Sequence, residues 1–427
     1  MYPAEVMKCS SETEKPPMHR RDFLKRSGLL GLARPALATA LGAGSLFTSG
    51  RLFAAPQTDT RLLVVFMRGA YDSANLLVPY SSDFYYETRP TIAVPRPDSQ
   101  DGAALPLTPE WALHPALKDS LLPLYQKKQL AFVNFVGSED LSRSHFETQN
   151  TIELGQALKG SRDYGSGFLN RLAQELTVDT ARPGAFTRQL PLVLSGTLDV
   201  PNIALSGAAK ASSYTDRQKA LIQEMYRGTP LEGQVSEGFN VRNASAEVIQ
   251  AEMAAADGEA LSAKGLQGEI RRIATLMREQ FNIGFVDVGG WDTHVNQGSA
   301  TGQLASRFDT LGQALAGFAN GMGSAWDRTV VVVVSEFGRT FRENGSKGTD
   351  HGHGTTYWVL GGGVQGGRIA GEQVKVAADT LHQGRDFPVL NDYRQVLGGL
   401  FQRMYGLDDR RLQKVFPGAK PTDLKLV

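Results

Sequence analysis

The chain has 427 residues, 41% of them hydrophobic, and its 45 Lys and Arg against 44 Asp and Glu leave a formal net charge of +1. So even a balance excludes the basic footprint of a nucleic-acid-binding protein, and the hydrophobic content is that of an ordinary globular chain. The only cysteine is Cys9.

The first element in chain order is a leader. Arg20 and Arg21 open the run Arg-Arg-Asp-Phe-Leu-Lys that ends at Lys25, and a weakly apolar stretch follows from Leu29 to Phe47. A charged head, a modest apolar region and small residues make a signal peptide, and the arginine pair points to the twin-arginine route. Arg34 and Pro35 leave the stretch too interrupted to span a membrane. The sequence therefore predicts a leader over 1–55, cut near Ala54, Ala55 and Pro56, and a single domain over 56–427. It also predicts passage through the twin-arginine translocation machinery to the periplasm or beyond. Loss of Cys9 with the leader removes disulfides, thiolate ligands and thiol nucleophiles from the mature chain. No later segment has the apolar length for a stable membrane span.

Past the leader, apolar runs alternate with helical patterns. Leu62 to Met67 reads as a strand buried on both faces, Pro115 to Gln126 as a helix, and Leu130 to Val136 as a strand. A helix is expected from Tyr164 to Leu176 and a strand from Pro191 to Ser195. The segment from Gly207 to Gly238 lacks a period and reads as a loop, lid or inserted subregion. Long helices are expected between Ala246 and Gln280, a strand from Phe281 to Val288, and an amphipathic helix from Leu304 to Trp326. Five consecutive valines within Thr329 to Val334 call for a central strand, and Tyr357 to Leu360 for another. This alternation implies an α/β fold, with a mostly parallel sheet covered by helices on both faces and ligands bound at the strand carboxyl ends.

Polar residues collect at those ends. The first strand runs into Arg68 to Asp72, the strand ending at Val288 into Gly289 to His294, and the valine strand into Ser335 to Thr340. Thr349 to Gly354 follows, carrying Asp350, His351 and His353. Carboxylates with neutral imidazoles suit zinc, manganese or iron, whereas carboxylates alone suit magnesium or calcium. Asp292 and His294 are two apart, as are His351 and His353, so each pair shares a face of extended chain. Three of the seven histidines fall in these two segments. Each residue also has a local reading: Asp72 as a helix cap, Asp292 with His294 as a turn, Glu336 with Arg339 as an ion bridge.

Leu141 to Phe146 forms a second constellation at a helix start. Ser142 or Ser144 can cap the helix or act as a nucleophile, and Arg143 can hold an anion against the positive end of the helix dipole. His145 reads equally as a ligand, an acid/base group or a packed residue. Gly361 to Gly367 reads as a tight turn, and Asp392 as the cap of the last long helix.

On these segments, together with Phe66 to Pro79 and Arg385 to Arg394, the chain resembles the exported domain-of-unknown-function-1501 family, related to the alkaline phosphatase and sulfatase superfamily. The resemblance runs from the leader to about Pro417. It implies an alkaline phosphatase-like three-layer α/β/α sandwich with a mostly parallel central sheet. It further implies that Asp72 resembles the first metal-binding aspartate, that Ser142 or Ser144 resembles the nucleophile, and that Asp292 and His294 share one metal. Glu336 falls where the superfamily has an Asp followed by a His, and His351 or His353 where it has a late histidine ligand. Phe337 departs from that pattern by replacing a histidine. The function expected is hydrolysis of a small anionic phosphate or sulfate ester with a divalent metal, zinc, manganese or calcium/magnesium. The competing expectation is a non-catalytic envelope or binding protein on the same fold.

Overall fold

The computed structural model describes residues 60–99, 102–176, 181–203, 216–239 and 266–427. The arginine pair, Cys9 and the predicted cleavage region lie outside the described residues, as does most of the stretch from Ala246 to Gln280.

Among the described residues eleven strands run in chain order: β1 (Arg61–Met67), β2 (Leu77–Val78), β3 (Leu105–Pro106), β4 (Ala112–Leu113), β5 (Leu130–Gly137), β6 (Pro183–Ala185), β7 (Ile283–Val288), β8 (Thr329–Ser335), β9 (Thr355–Leu360), β10 (Arg368–Ala370) and β11 (Asn391–Asp392). The main sheet has the order β10-β5-β9-β8-β1-β7-β6, with β11 also on β5, and β2, β4 and β3 make a small separate sheet. In the main sheet β1 pairs parallel with both β7 and β8, β6 pairs parallel with β7, and β10 and β11 pair parallel with β5. Only β9 is reversed, antiparallel to β5 and to β8.

Strand alternation divides the core into two layers. Leu63, Val65 and Met67 of β1 and Val331 and Val333 of β8 pack on one face with Ile270, Ile273, Phe308 and Leu311. These last come from the helices Leu266–Glu279 and Gln303–Met322. Leu62, Val64 and Phe66 face the other way with Val330, Val332 and Val334. There they meet the helices Phe168–Glu175, Tyr393–Tyr405 and Asp409–Val415. A sheet with apolar side chains on both faces is stable only when both are covered, and this one is.

Several predicted elements differ in detail. Pro191 to Ser195 is a single 3-10 turn at Leu192–Leu194, not a strand, because Pro191 offers no N–H to a neighbouring ladder. Pro115 to Gln126 divides into a 3-10 turn, Pro115–Leu117, and a short helix, Leu122–Gln126, with Pro123 in its first turn. The segment from Gly207 to Gly238, expected as a loop, lid or inserted subregion, contains the helix Asp216–Tyr226 among its described residues. The helix foreseen from Leu304 to Trp326 ends at Met322 and tightens into a 3-10 turn over Gly323–Arg328.

No helix among the described residues is long and apolar enough to cross a membrane.

Candidate metal centre

Parallel strands deliver their carboxyl ends to one edge of a sheet, so the segments after β1, β5, β7 and β8 emerge together. The reversal of β9 matters here. Because it runs the other way, its amino end, preceded by His351 and His353, arrives at that same edge.

Two close approaches of backbone shape the edge. Gly69 has φ +116 and a Cβ there would stand 2.8 Å from the Asp292 nitrogen, so the chain after β1 touches the segment that carries Asp292 and His294. Gly352 packs directly on the backbone of Arg339, where a side chain has no room. This lets 338–340 pair with 350–353: Gly352 N donates to Gly338 O at 2.8 Å and Gly338 N to His353 O at 2.9 Å.

Three imidazoles converge on one carboxylate. His145 Nε2 lies 2.9 Å from His351 Nε2, which lies 3.1 Å from His294 Nε2. Asp292 reaches all three: its Oδ1 is 2.9 Å from His294 Nε2 and 3.5 Å from His351 Nε2, and its Oδ2 is 3.5 Å from His145 Nε2.

Each ring is held from behind. His145 Nδ1 lies 2.8 Å from Glu336 Oε1, His351 Nδ1 lies 2.8 Å from the Arg143 carbonyl oxygen, and His294 Nδ1 lies 3.2 Å from Asp350 Oδ1. All three outer partners are acceptors, so Nδ1 carries the proton and Nε2 presents its lone pair to the centre. Two nitrogens bound to one tetrahedral zinc at ~2.0–2.1 Å stand roughly 3.3 Å apart, close to the separations here. Inward lone pairs on three rings beside a carboxylate repel one another and suit a cation. The donor set therefore fits a divalent metal of zinc type.

The surroundings fix the charges. Burial pushes the Asp292 carboxyl up, but the hydrogen bond and charge of Arg339 outweigh it and hold it below the usual carboxylate range. Arg339 Nη1 donates to Asp292 Oδ1 at 2.6 Å, and the same guanidinium also donates to the Thr349 carbonyl. Glu336 is wholly buried. Burial raises its carboxyl too, and bonds from His145 and Gln149, and from the Gly69 N–H, bring it below its ordinary value. The hydrogen bond to Glu336 is the chief reason the His145 imidazole titrates above its usual value, whereas burial pulls His351 down. Phe337 stacks on His145 with centroids 5.0 Å apart and lies 5.3 Å from His351, so it serves as the wall behind two rings.

The other predicted residues stand elsewhere. Asp72 faces Arg89, which donates to both its oxygens, while Gln297 and the Ala74 N–H take the remaining lone pairs. That arrangement leaves Asp72 no open oxygen, and it caps the short helix Ser73–Leu76. His353 packs on His382 with centroids 5.0 Å apart, and burial holds it down at about 4. Asp350 and Glu336 bind the outer nitrogens of His294 and His145. The anticipated Glu336 to Arg339 bridge does not form, since each has a different partner. Arg143 gives its guanidinium to Asp386 and Gln383, and it sits at φ 54 with its carbonyl on His351.

The serines separate. Ser142 Oγ accepts from the Ser144 N–H at 3.3 Å, whereas Ser144, the N-cap of the helix His145–Leu154, makes no side-chain cap bond. Gln149 was missed, although it lies four residues after His145 and so on the same helix face, which is the signal that finds it. It donates to Glu336 Oε1 at 2.9 Å and accepts from Arg68 at 2.9 Å.

Residues 59–416 match the family described as protein of unknown function (DUF1501). The chain belongs to the DUF1501 family. No curated protein matches this DUF1501 chain. Among solved structures it is similar to the lipoteichoic acid synthase LtaP from Listeria monocytogenes, at 9% identity and a TM-score of 0.37, with 86% of this chain and 76% of that chain covered.

Proposed function

We propose that this protein is an exported metal-dependent hydrolase of phosphate or sulfate esters. The observation that carries the reading is the convergence of three imidazole Nε2 atoms on Asp292 within 3.5 Å. His145, His294, His351 and Asp292 would hold the ion, with zinc the best match to three imidazoles and a carboxylate. A bound divalent cation supplies a Lewis acid against the negative charge that develops on an ester oxygen.

The chain's own groups support the rest. Ser144 adjoins His145 at the start of a ten-residue helix. Its hydroxyl has no cap bond to give up, and the unpaired backbone N–H groups of that turn favour an anion. Ser144 Oγ attacks phosphorus or sulfur, the ester's alcohol departs, and water then releases the anion from the serine. Glu336, Asp350 and the Arg143 carbonyl hold the rings. The arginine pair at Arg20 and Arg21 supports a leader over 1–55 ahead of a single domain over 56–427. It likewise supports export by the twin-arginine translocation machinery to the periplasm or outside the cell.

The test is elemental analysis of protein purified without chelator, followed by a panel of aryl phosphates and sulfates. One equivalent of transition metal, with turnover that chelator removes and Ser144→Ala abolishes, is the expected result. A metal-free, stable protein with no turnover leaves the non-catalytic envelope role.

A further inference from the structure

Asp386 has a fully buried side chain, and two guanidinium groups end on one of its oxygens. Arg143 donates to Oδ2 from Nη2 at 2.8 Å and from Nε at 3.2 Å, and Arg385 donates to the same oxygen from Nη1 at 3.0 Å. Both arginines continue to His351, from opposite ends of that residue. The Arg143 carbonyl oxygen lies 2.8 Å from its ring Nδ1, and Arg385 Nη2 donates at 2.9 Å to its backbone carbonyl. Ring and backbone of one histidine are thus tied to a single carboxylate oxygen.

Arg143 has φ 54, in the left-handed region, where a residue with a Cβ persists only when its surroundings over-determine it. Its guanidinium supplies that constraint through Asp386 and Gln383, and the constrained backbone turns its carbonyl to His351. Asp386 is set in turn by backbone pairing. His382 N donates to Asp386 O at 2.8 Å, Asp386 N to His382 O at 3.1 Å, and Phe341 N to Arg385 O at 2.9 Å. None of these bonds needs the carboxylate charge, so the segment that carries Asp386 is fixed without it. An ion pair taken out of water adds little net stability, because desolvation offsets the attraction. Here the same contacts set the direction of a ring.

We propose that Asp386 is a positioning residue for the metal centre: through Arg143 and Arg385 it clamps His351 so that Nε2 faces His145, His294 and Asp292. The inference rests on the proposed reading of the centre as a metal site.

Zinc affinity, from competition with a chromophoric chelator, and the visible absorption bands of the cobalt-substituted protein test it. Asp386→Asn should keep one equivalent of zinc, weaken its binding about tenfold or more and shift the cobalt bands, since loss of an outer partner disturbs ligand geometry. In a His351→Ala background the same substitution should change zinc affinity less than about twofold, because the clamp then has no ring to hold. Asp72→Asn breaks another buried ion pair and controls for lowered stability, so its affinity and bands should match the wild type. Arg385→Gln, at a half-buried side chain, removes one arm of the clamp and should move both readouts in the same direction as Asp386→Asn. It carries the test alone if Asp386→Asn does not fold. Wild-type values in the folded variants, an equal loss in Asp72→Asn, or a loss that persists in full without the His351 ring overturns the clamp while zinc binding by the wild type keeps the metal reading. A wild-type protein that binds neither zinc nor cobalt overturns both.

Discussion

The carboxylate of Glu336 and the outer nitrogen of His145 lie 2.8 Å apart, and this one contact fixes both the tautomer and the direction of the ring. Glu336 is itself held by the Gly69 N–H at 2.8 Å, Gln149 at 2.9 Å and the Ser335 hydroxyl at 2.9 Å. A carboxylate so placed acts on a metal through the histidine and not by direct ligation. Glu336→Gln is expected to weaken zinc binding about 10–100-fold while one equivalent still binds, since the ligands remain. Competition titration against a chromophoric chelator reads the affinity. Loss of the equivalent altogether would make Glu336 a ligand.

Asp72 and Arg89 form an ion pair with both side chains buried. Arg89 also stacks near Tyr85 and Phe341 and donates to the carbonyls of Thr340 and Phe341. Asp72→Asn leaves that guanidinium buried without its counter-charge, at a cost of about 3–5 kcal/mol. Urea unfolding should show the loss, and the zinc stoichiometry of the variant should equal that of the wild type. A variant of unchanged stability that binds less metal would restore Asp72 to the centre.

The two serines give opposite outcomes. Ser144→Ala removes the proposed nucleophile and should lower kcat on an aryl phosphate at least a thousandfold with little change in stability, given that its hydroxyl caps nothing. Ser142→Ala removes the acceptor for the Ser144 N–H and should cost about 1 kcal/mol of stability with most of the activity kept. Parallel kinetics and thermal unfolding of the two variants check the pair.

The fold was legible because long apolar runs admit one reading: β1 and β8 are buried on both faces, and only a sheet covered on both sides accommodates them. The edge of the sheet that carries the site followed from the same reading. What sequence could not give was pairing across distance. Asp72 and Arg89 are seventeen residues apart with no periodic relation, and an arginine in a core announces itself only when its partner is known. His145 left three readings open, and its helix position decided none of them, because the choice depends on β9 running backwards to bring His351 beside it. His351 and His353 were indistinguishable by spacing. The tight pairing at Gly338 and Gly352 sends one ring to the centre and the other to His382.

His114 offers a test of the electrostatics remote from the proposed metal ligands. It is fully buried beneath the helix Gln303–Met322, its Nε2 donating to the Ser299 carbonyl at 2.9 Å and its Nδ1 accepting from the Ala116 N–H at 3.1 Å. The Nδ1 contact needs the neutral ring, and burial, outweighing the Nε2 bond to Ser299, lowers its titration from 6.5 to about 4. In the unfolded chain the ring gains its proton near 6.5, so between about 4 and 6.5 the unfolded state holds the extra proton. Stability conferred by the neutral ring is then complete above pH 6.5 and falls as the pH drops towards 4. His114→Gln can keep one donor and one acceptor but does not titrate. The stability advantage of the wild type over this variant should therefore shrink by about 2 kcal/mol between pH 7 and pH 5, at ~1.4 kcal/mol per pH unit below 6.5. Loss of metal at low pH affects both proteins alike and cancels in the difference. Urea titrations of the two at each pH make the measurement, and an advantage that stays constant would mean that His114 is charged in the folded protein or never differs from the unfolded chain.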